Sequence, residues 1–190
     1  MKTLSLATLA VLFLGMAPMG DPDLLGGLWF KFTVSAKLQG LEDDNSVAKV
    51  NDKEVLYGRV SAFDDSGLGQ FFYSLEMYGE IDGVWQDIGV GNLETSGERE
   101  AICVNISFFV PNFDNVPEDG GLGYTALANG KFKISQDKEG AVKKASLKTS
   151  GGIVTVGGIY LKSGQFTNVV GDVKIRAKNI DESKLPFETM

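Results

Sequence analysis

The chain has 190 residues, 43% of them hydrophobic and 23% charged, and its 25 acidic and 18 basic side chains give a net charge of −7. This composition is typical of a globular domain and excludes a disordered or collagen-like chain. There is no histidine and a single cysteine, Cys103. Catalysis by histidine, zinc binding through imidazole and an internal disulfide are therefore excluded.

The first twenty residues have the pattern of a secretory leader. Lys2 is followed by an uncharged apolar run from Leu4 to Leu14, which is shorter than the roughly 20 apolar residues of a spanning helix. We expect a signal peptide over 1–20, cleaved near residues 17 to 20, with a retained N-terminal anchor as the alternative. The expected location is secreted or periplasmic.

The rest of the chain alternates apolar and polar residues, which is typical of β-strands with one buried and one solvated face. The alternation is clearest over 28–38 and recurs over 71–78 and 169–177. Pairs such as Asp82-Gly83 and Asn129-Gly130 tolerate the positive φ angles of tight hairpins. The sequence predicts about nine or ten strands, drawn from the segments 28–38, 46–50, 54–63, 70–80, 84–93, 99–110, 123–128, 131–136, 142–148, 153–161 and 166–178.

Short links between these segments favour antiparallel pairing of consecutive strands. We expect an all-β antiparallel β-sandwich, with a closed up-and-down β-barrel as the alternative, because both cover the apolar faces of many short strands. Residues 27–178 are predicted to form a single domain, and 179–190 a polar C-terminal tail. No motif of a known family stands out.

Charge is distributed unevenly along the chain. Residues 41–130 have a net charge of −13, whereas residues 131–178 have a net charge of +7. Since many of the later cations share one side of their strands, hairpin pairing would gather them into a basic face. The predicted binding residues on this face are Lys131, Lys133, Lys144, Lys148, Lys174 and Arg176. Lysines that merely keep an exposed sheet soluble are the alternative explanation.

Trp85, beside the Asp82-Gly83 turn, is a candidate platform for stacking a sugar ring, although large aromatic side chains in strands more often belong to the core. The long acidic connection 111–123 could offer oxygen ligands to calcium, but its spacing is not that of an EF-hand loop. We predict no metal site and no cofactor.

Catalytic signatures are absent from the sequence. Two carboxylates acting on a glycoside remain conceivable, because Glu76 and Glu80 share one side of a strand, as do Glu98 and Glu100. We expect instead a non-catalytic binding or assembly module, whose partners would be an anionic polysaccharide, another acidic surface or a second copy of the chain. The negative net charge and the lack of aromatic residues among the lysines speak against nucleic acid. A glycoside-active enzyme and a small outer-membrane β-barrel are the alternatives, and membrane association is not expected after removal of the leader.

Overall fold

The computed structural model describes residues 22–41, 47–65, 70–81, 83–96, 102–112, 122–161 and 164–189. These ranges are almost entirely strand, with short 3-10 turns at Pro22–Leu25 and Glu182–Lys184. The strands are β1 (Trp29–Leu41), β2 (Val47–Asp65), β3 (Gln70–Ile81), β4 (Val84–Ser96), β5 (Ile102–Asn112), β6 (Leu122–Gln136), β7 (Val142–Leu161) and β8 (Gly164–Ile180).

Every strand pairs antiparallel with the next one in sequence, which confirms the expected all-β antiparallel fold. β1 also pairs with β8, from Trp29 opposite Ile180 to Leu41 opposite Thr167. The sheet therefore closes with the strand order of the up-and-down barrel, the alternative to the sandwich. The shortest strand pairing among the described residues is that of β4 with β5, which extends only over Asn92–Ser96 of β4.

The two-residue alternation fills the inside of the closed sheet with apolar side chains. On β1, Phe30, Phe32 and Val34 point inward and are almost completely buried, while the residues between them face outward. Phe30 and Phe132 of β6 meet across the interior, with ring centroids 5.8 Å apart. Opposite walls thus pack directly on one another, as the layers of a sandwich do, and a barrel of eight strands is just wide enough for side chains to fill it.

The expectation of nine or ten strands is corrected to eight, because three predicted strand pairs are single long strands. Segments 46–50 and 54–63 together form β2, 123–128 and 131–136 form β6, and 142–148 and 153–161 form β7. Asn129-Gly130 lies within β6, and the register with β7 shifts there because Asn129 is opposite Gly151 and Gly130 is opposite Thr149, which leaves Ser150 of β7 as the extra residue of a bulge. A Cβ on Gly130 would collide with the backbone of Lys148 and Thr149, so the glycine permits a close approach of strands.

Other predicted turns are confirmed. Ile81 and Val84 pair across the Asp82-Gly83 turn, in which Gly83 has a φ of 78°. In the β6–β7 hairpin, the Asp137 carboxylate accepts hydrogen bonds from the backbone N–H groups of Glu139 and Ala141 at 2.9 and 3.0 Å. These turns hold consecutive strands in the register that the outer face requires.

The predicted leader over 1–20 and most of the acidic connection 111–123 lie outside the described residues. Within the described ranges, no helix has both the length and the apolar character needed to cross a membrane.

Candidate functional site

All six basic residues predicted from the sequence lie on the outside of the barrel with exposed side chains. Five of them line one groove between β6, β7 and β8, which has a volume of about 630 Å³. These five are Lys131, Lys133, Lys148, Lys174 and Arg176. Lys144 is exposed opposite Ser135, nearer the end of the hairpin, and does not line the groove.

The cations are direct neighbours across the strands. Lys131 on β6 lies opposite Lys148 on β7, and Lys148 lies opposite Arg176 on β8. Like charges placed directly opposite one another destabilise a sheet. This row of three cations is therefore an arrangement that the stability of the fold alone would not favour.

A second row runs beside the first and extends further around the barrel. Lys133 lies opposite Ser146, which lies opposite Lys178, and Lys178 lies opposite Lys31 on β1. We call the six cations of the two rows, together with Lys174 and the groove itself, the basic face: Lys31, Lys131, Lys133, Lys148, Lys174, Arg176 and Lys178. Lys31 could not be assigned to this face from the sequence, since it lies about a hundred positions before the others and joins them only because β1 closes on β8.

A bulge in β7 lies beside the groove, because the register between β7 and β8 shifts between Lys148 and Ile153. Thr149 continues the inward positions of Ala145 and Leu147 and is 7% exposed. The Thr149 hydroxyl oxygen accepts a hydrogen bond from the backbone N–H of Ile175 at 2.8 Å. This bond satisfies a buried donor that the interrupted strand pairing would otherwise leave unpaired.

No acidic side chain is among the described residues that line the groove. The nearest acid along β8 is Asp172, two residues before Lys174 on the same outer face and opposite Lys37 on β1. The exposed acids Glu80 and Asp87 lie on β3 and β4, where Glu80 is opposite Trp85 and Asp87 is opposite Tyr78. The lining of the groove is thus cationic, and Asp172 flanks it on β8.

Trp85 lies apart from the groove, in a cluster of rings on the outside of β1 to β4. It contacts Tyr57 of β2, with ring centroids 5.0 Å apart, and Trp29 of β1 contacts Tyr78 of β3 at 5.5 Å. We call these four side chains the aromatic cradle. The cradle adjoins the basic face, because the Lys31 ammonium nitrogen lies 5.7 Å from the centre of the Tyr57 ring.

The predicted polar tail is packed onto this cradle. Residues 179 and 180 complete β8, and residues 181–189, here called the C-terminal strap, return across the outside of the barrel. Phe187 contacts all four rings: it stacks on Tyr78 and Trp85 at 5.1 and 5.5 Å and meets Trp29 and Tyr57 edge-on at 5.9 and 5.8 Å. The Trp85 ring therefore has Phe187 stacked against it.

Hydrogen bonds within the strap fix its shape. The Asp181 carboxylate accepts hydrogen bonds from the backbone N–H and the hydroxyl of Ser183, at 2.9 and 2.5 Å. The hydroxyl bond, with the backbone bond second, holds the pKa of the Asp181 carboxyl below its ordinary value. The Thr189 hydroxyl donates to the Glu182 carboxylate at 2.7 Å. The strap is a braced loop that presents Phe187 to the cradle.

Burial affects two polar groups of the cradle. Trp29 is 4% exposed, and its indole Nε1–H is buried without a hydrogen-bond partner. An unsatisfied buried donor costs about 1–3 kcal/mol. Burial also raises the pKa of the Tyr78 phenol, and the negative charges of Glu76 and Asp87 add to this rise. Sequence reasoning missed the cradle, because Phe187 is a lone aromatic residue in a polar segment.

The comparisons with known proteins give no assignment. No protein-family model matches the chain, and no curated protein is significantly similar to it.

The carboxylate pair considered for glycoside hydrolysis lies on β3. Glu76 and Glu80 are four residues apart in this strand, so their Cα atoms are separated by about 13 Å. Glu98 and Glu100 lie outside the described residues. Within the described ranges, no group of three cysteine or acidic side chains could hold a metal ion.

Proposed function

We propose that the protein is an exported, non-catalytic binding module whose basic face holds an acidic polysaccharide. The observation that carries the proposal is the row of Lys131, Lys148 and Arg176, three directly opposed cations beside a groove that no described acid lines. Such a row lowers the stability of the free protein and is relieved when anionic groups bind along it.

The shape of the face supports a polymeric ligand. The second row, from Lys133 on β6 to Lys31 on β1, crosses four strands, and three steps between strands span about 14 Å. A chain carrying anionic groups at intervals can contact cations along this whole length, whereas a single small anion would contact only one or two of them. The groove volume of about 630 Å³ is also within the usual range for binding sites.

The side chains inside the barrel are apolar and the basic face is on the outside, and this arrangement speaks against the alternative of an outer-membrane barrel. Membrane barrels carry an apolar band on the outside and a polar interior, whereas Phe30, Phe32 and Phe132 fill the interior here and the basic face lies outside.

The test measures binding of dextran sulfate, polygalacturonate and neutral dextran to the full chain at low and high salt. We expect both anionic polymers to bind at low salt, high salt to release them, and dextran not to bind. Changing Lys131, Lys148 and Arg176 together to Gln should weaken binding roughly tenfold, because three exposed charges contribute about 0.5 kcal/mol each.

A matched control changes Lys138, Lys143 and Lys144 to Gln. This variant removes the same net charge from exposed positions outside the groove lining, and it should retain most of the affinity. Equal losses in the two variants would mean that net charge, not the basic face, governs binding. Assembly of the protein at low salt without any polymer would instead support self-association between basic and acidic surfaces.

A further inference from the structure

The aromatic cradle has the composition of a ring-binding site, and the chain's own C-terminal strap occupies it. Phe187 stacks nearly parallel on Tyr78 and Trp85, with interplanar angles of 25° and 28°, and meets Trp29 and Tyr57 at steep angles. Four aromatic side chains arranged around one ring accommodate a flat, apolar ring face. The cradle lies on the outside of a barrel that already has a separate core, so it is an addition to the fold rather than part of its interior.

One polar group of the cradle is unsatisfied while Phe187 occupies the cradle. The Trp29 indole N–H is buried and has no hydrogen-bond partner, although Trp29 contacts Phe187. A phenyl ring carries no oxygen atom that could accept this hydrogen bond. A ring that bears hydroxyl or ring oxygens, as a sugar does, would supply the missing acceptor.

The cradle adjoins the basic face on its β1 side, whereas acids flank its other side, where Glu80 lies opposite Trp85 and Asp87 lies opposite Tyr78. The second row of the basic face runs from Lys133 through Ser146 and Lys178 to Lys31, and the next residue in register is Tyr57 of the cradle. Lys31 lies over the Tyr57 ring itself. A chain held along the basic face would therefore reach the cradle at the end of the row.

We propose that the aromatic cradle is a stacking subsite for one sugar ring of an acidic polysaccharide, and that Phe187 closes this subsite in the free protein. The proposal rests on the proposed function for the charge of the ligand, but the stacking itself does not depend on charge. Binding at the cradle requires the strap to move, because the bound ring would take the place of the Phe187 side chain.

The experiment compares the full-length protein with its Phe187→Ala variant, using hexamers of galacturonic acid and the same hexamers with their carboxylates methyl-esterified. We expect Phe187→Ala to bind both hexamers about tenfold more tightly than the unchanged protein, with a change in tryptophan fluorescence. Adding Trp85→Ala should remove this gain, and adding Trp29→Phe should reduce it. Thermal melting and near-ultraviolet circular dichroism verify that each variant is folded.

The control variant is Thr189→Val, which removes the hydrogen bond to Glu182 but leaves Phe187 in place. It should gain much less affinity than Phe187→Ala, because the cradle stays occupied. A readout that needs no variant is the nuclear magnetic resonance spectrum of Phe187. Its ring signals should move toward free-chain values when the unchanged protein is saturated with the acidic hexamer.

The outcomes separate the two proposals. If the basic face binds polyanions but Phe187→Ala gains no affinity for either hexamer, and the Phe187 signals do not move, the cradle is a structural clasp and the subsite is refuted. If Phe187→Ala gains affinity for the esterified hexamer alone while no variant binds polyanions, the anionic ligand is refuted together with the proposed function. A gain that survives Trp85→Ala would also refute stacking in the cradle.

Discussion

The basic face and the aromatic cradle lie side by side on the same barrel wall, yet they are built in opposite ways. The basic face keeps like charges exposed and directly opposed, as in Lys131, Lys148 and Arg176. The cradle gathers rings and covers them with a segment that follows the last strand, so that Trp29 and Tyr57 are only 4% and 6% exposed. One surface is left open to solvent, and the other is closed by the protein itself.

The two surfaces depend on different parts of the structure. The bulge in β7 and the buried Thr149–Ile175 hydrogen bond lie beside the groove, whereas the cradle depends on contacts made by the strap. Changes at Thr149 should therefore leave the cradle largely unaffected, because the two regions meet through Lys31 and Tyr57 and not through β7.

The largest effect is expected from Thr149→Val, which tests the bulge beneath the basic face. Valine keeps the shape but removes the acceptor for the Ile175 N–H, so the free energy of unfolding should fall by about 1–3 kcal/mol. Urea denaturation measures this loss. Thr149→Ser, which retains the hydroxyl, should lose less, and the near-ultraviolet circular dichroism of the cradle tryptophans should be unchanged in both. Equal stability of the two variants would contradict a role for the hydroxyl.

Lys148 is the central cation of the first row. The change Lys148→Gln is expected to raise the free energy of unfolding, by less than Thr149→Val lowers it. Removing this lysine relieves two like-charge contacts, with Lys131 and with Arg176, so the protein should become more stable by about 0.2–1 kcal/mol at low salt. The same change should weaken binding of dextran sulfate. Lys144→Gln, whose cross-strand neighbour is Ser135, serves as the control and should change stability less. A loss of stability in Lys148→Gln would show that the row is not under repulsion.

The smallest effect concerns the strap and is expected from Ser183→Ala. The Ser183 hydroxyl is the main reason for the lowered pKa of the Asp181 carboxyl, so its removal should raise that pKa toward the ordinary value. The carboxyl-carbon resonance of Asp181, followed during a pH titration, measures the change. Lys184→Gln should raise the pKa less, because the charge of Lys184 is the weakest of the causes. If the pKa of Asp181 were unchanged in Ser183→Ala, the Ser183 hydroxyl would not be a cause of the lowered pKa.

The sign of the accompanying pH dependence follows from the same shift. Because the folded-state pKa of Asp181 is lowered, its hydrogen bonds support the strap above the unfolded-state pKa, and this support is lost as the pH falls through the folded-state value. The Tyr78 phenol behaves in the opposite sense: its raised pKa favours the folded state below the ordinary tyrosine range, and this contribution is lost as the pH rises.

Much of the fold could be predicted from local pattern. The inward positions of β1, β3 and β8 follow directly from alternation, because a strand places successive side chains on opposite faces. Five of the six predicted cations line one groove for the same reason. The prediction of a hairpin turn at Asn129-Gly130 is wrong, because glycine serves a close approach of strands at a bulge as well as a turn.

The sequence by itself determined the strands, their buried faces and the parity that places lysines outward, since these depend on a period of two residues along the chain. Only the tertiary structure decided that β1 closes on β8, that Lys31 thereby joins the basic face, and that Phe187 fills the cradle. These features bring together residues distant in the sequence, and their pairing depends on register and packing that no local pattern records.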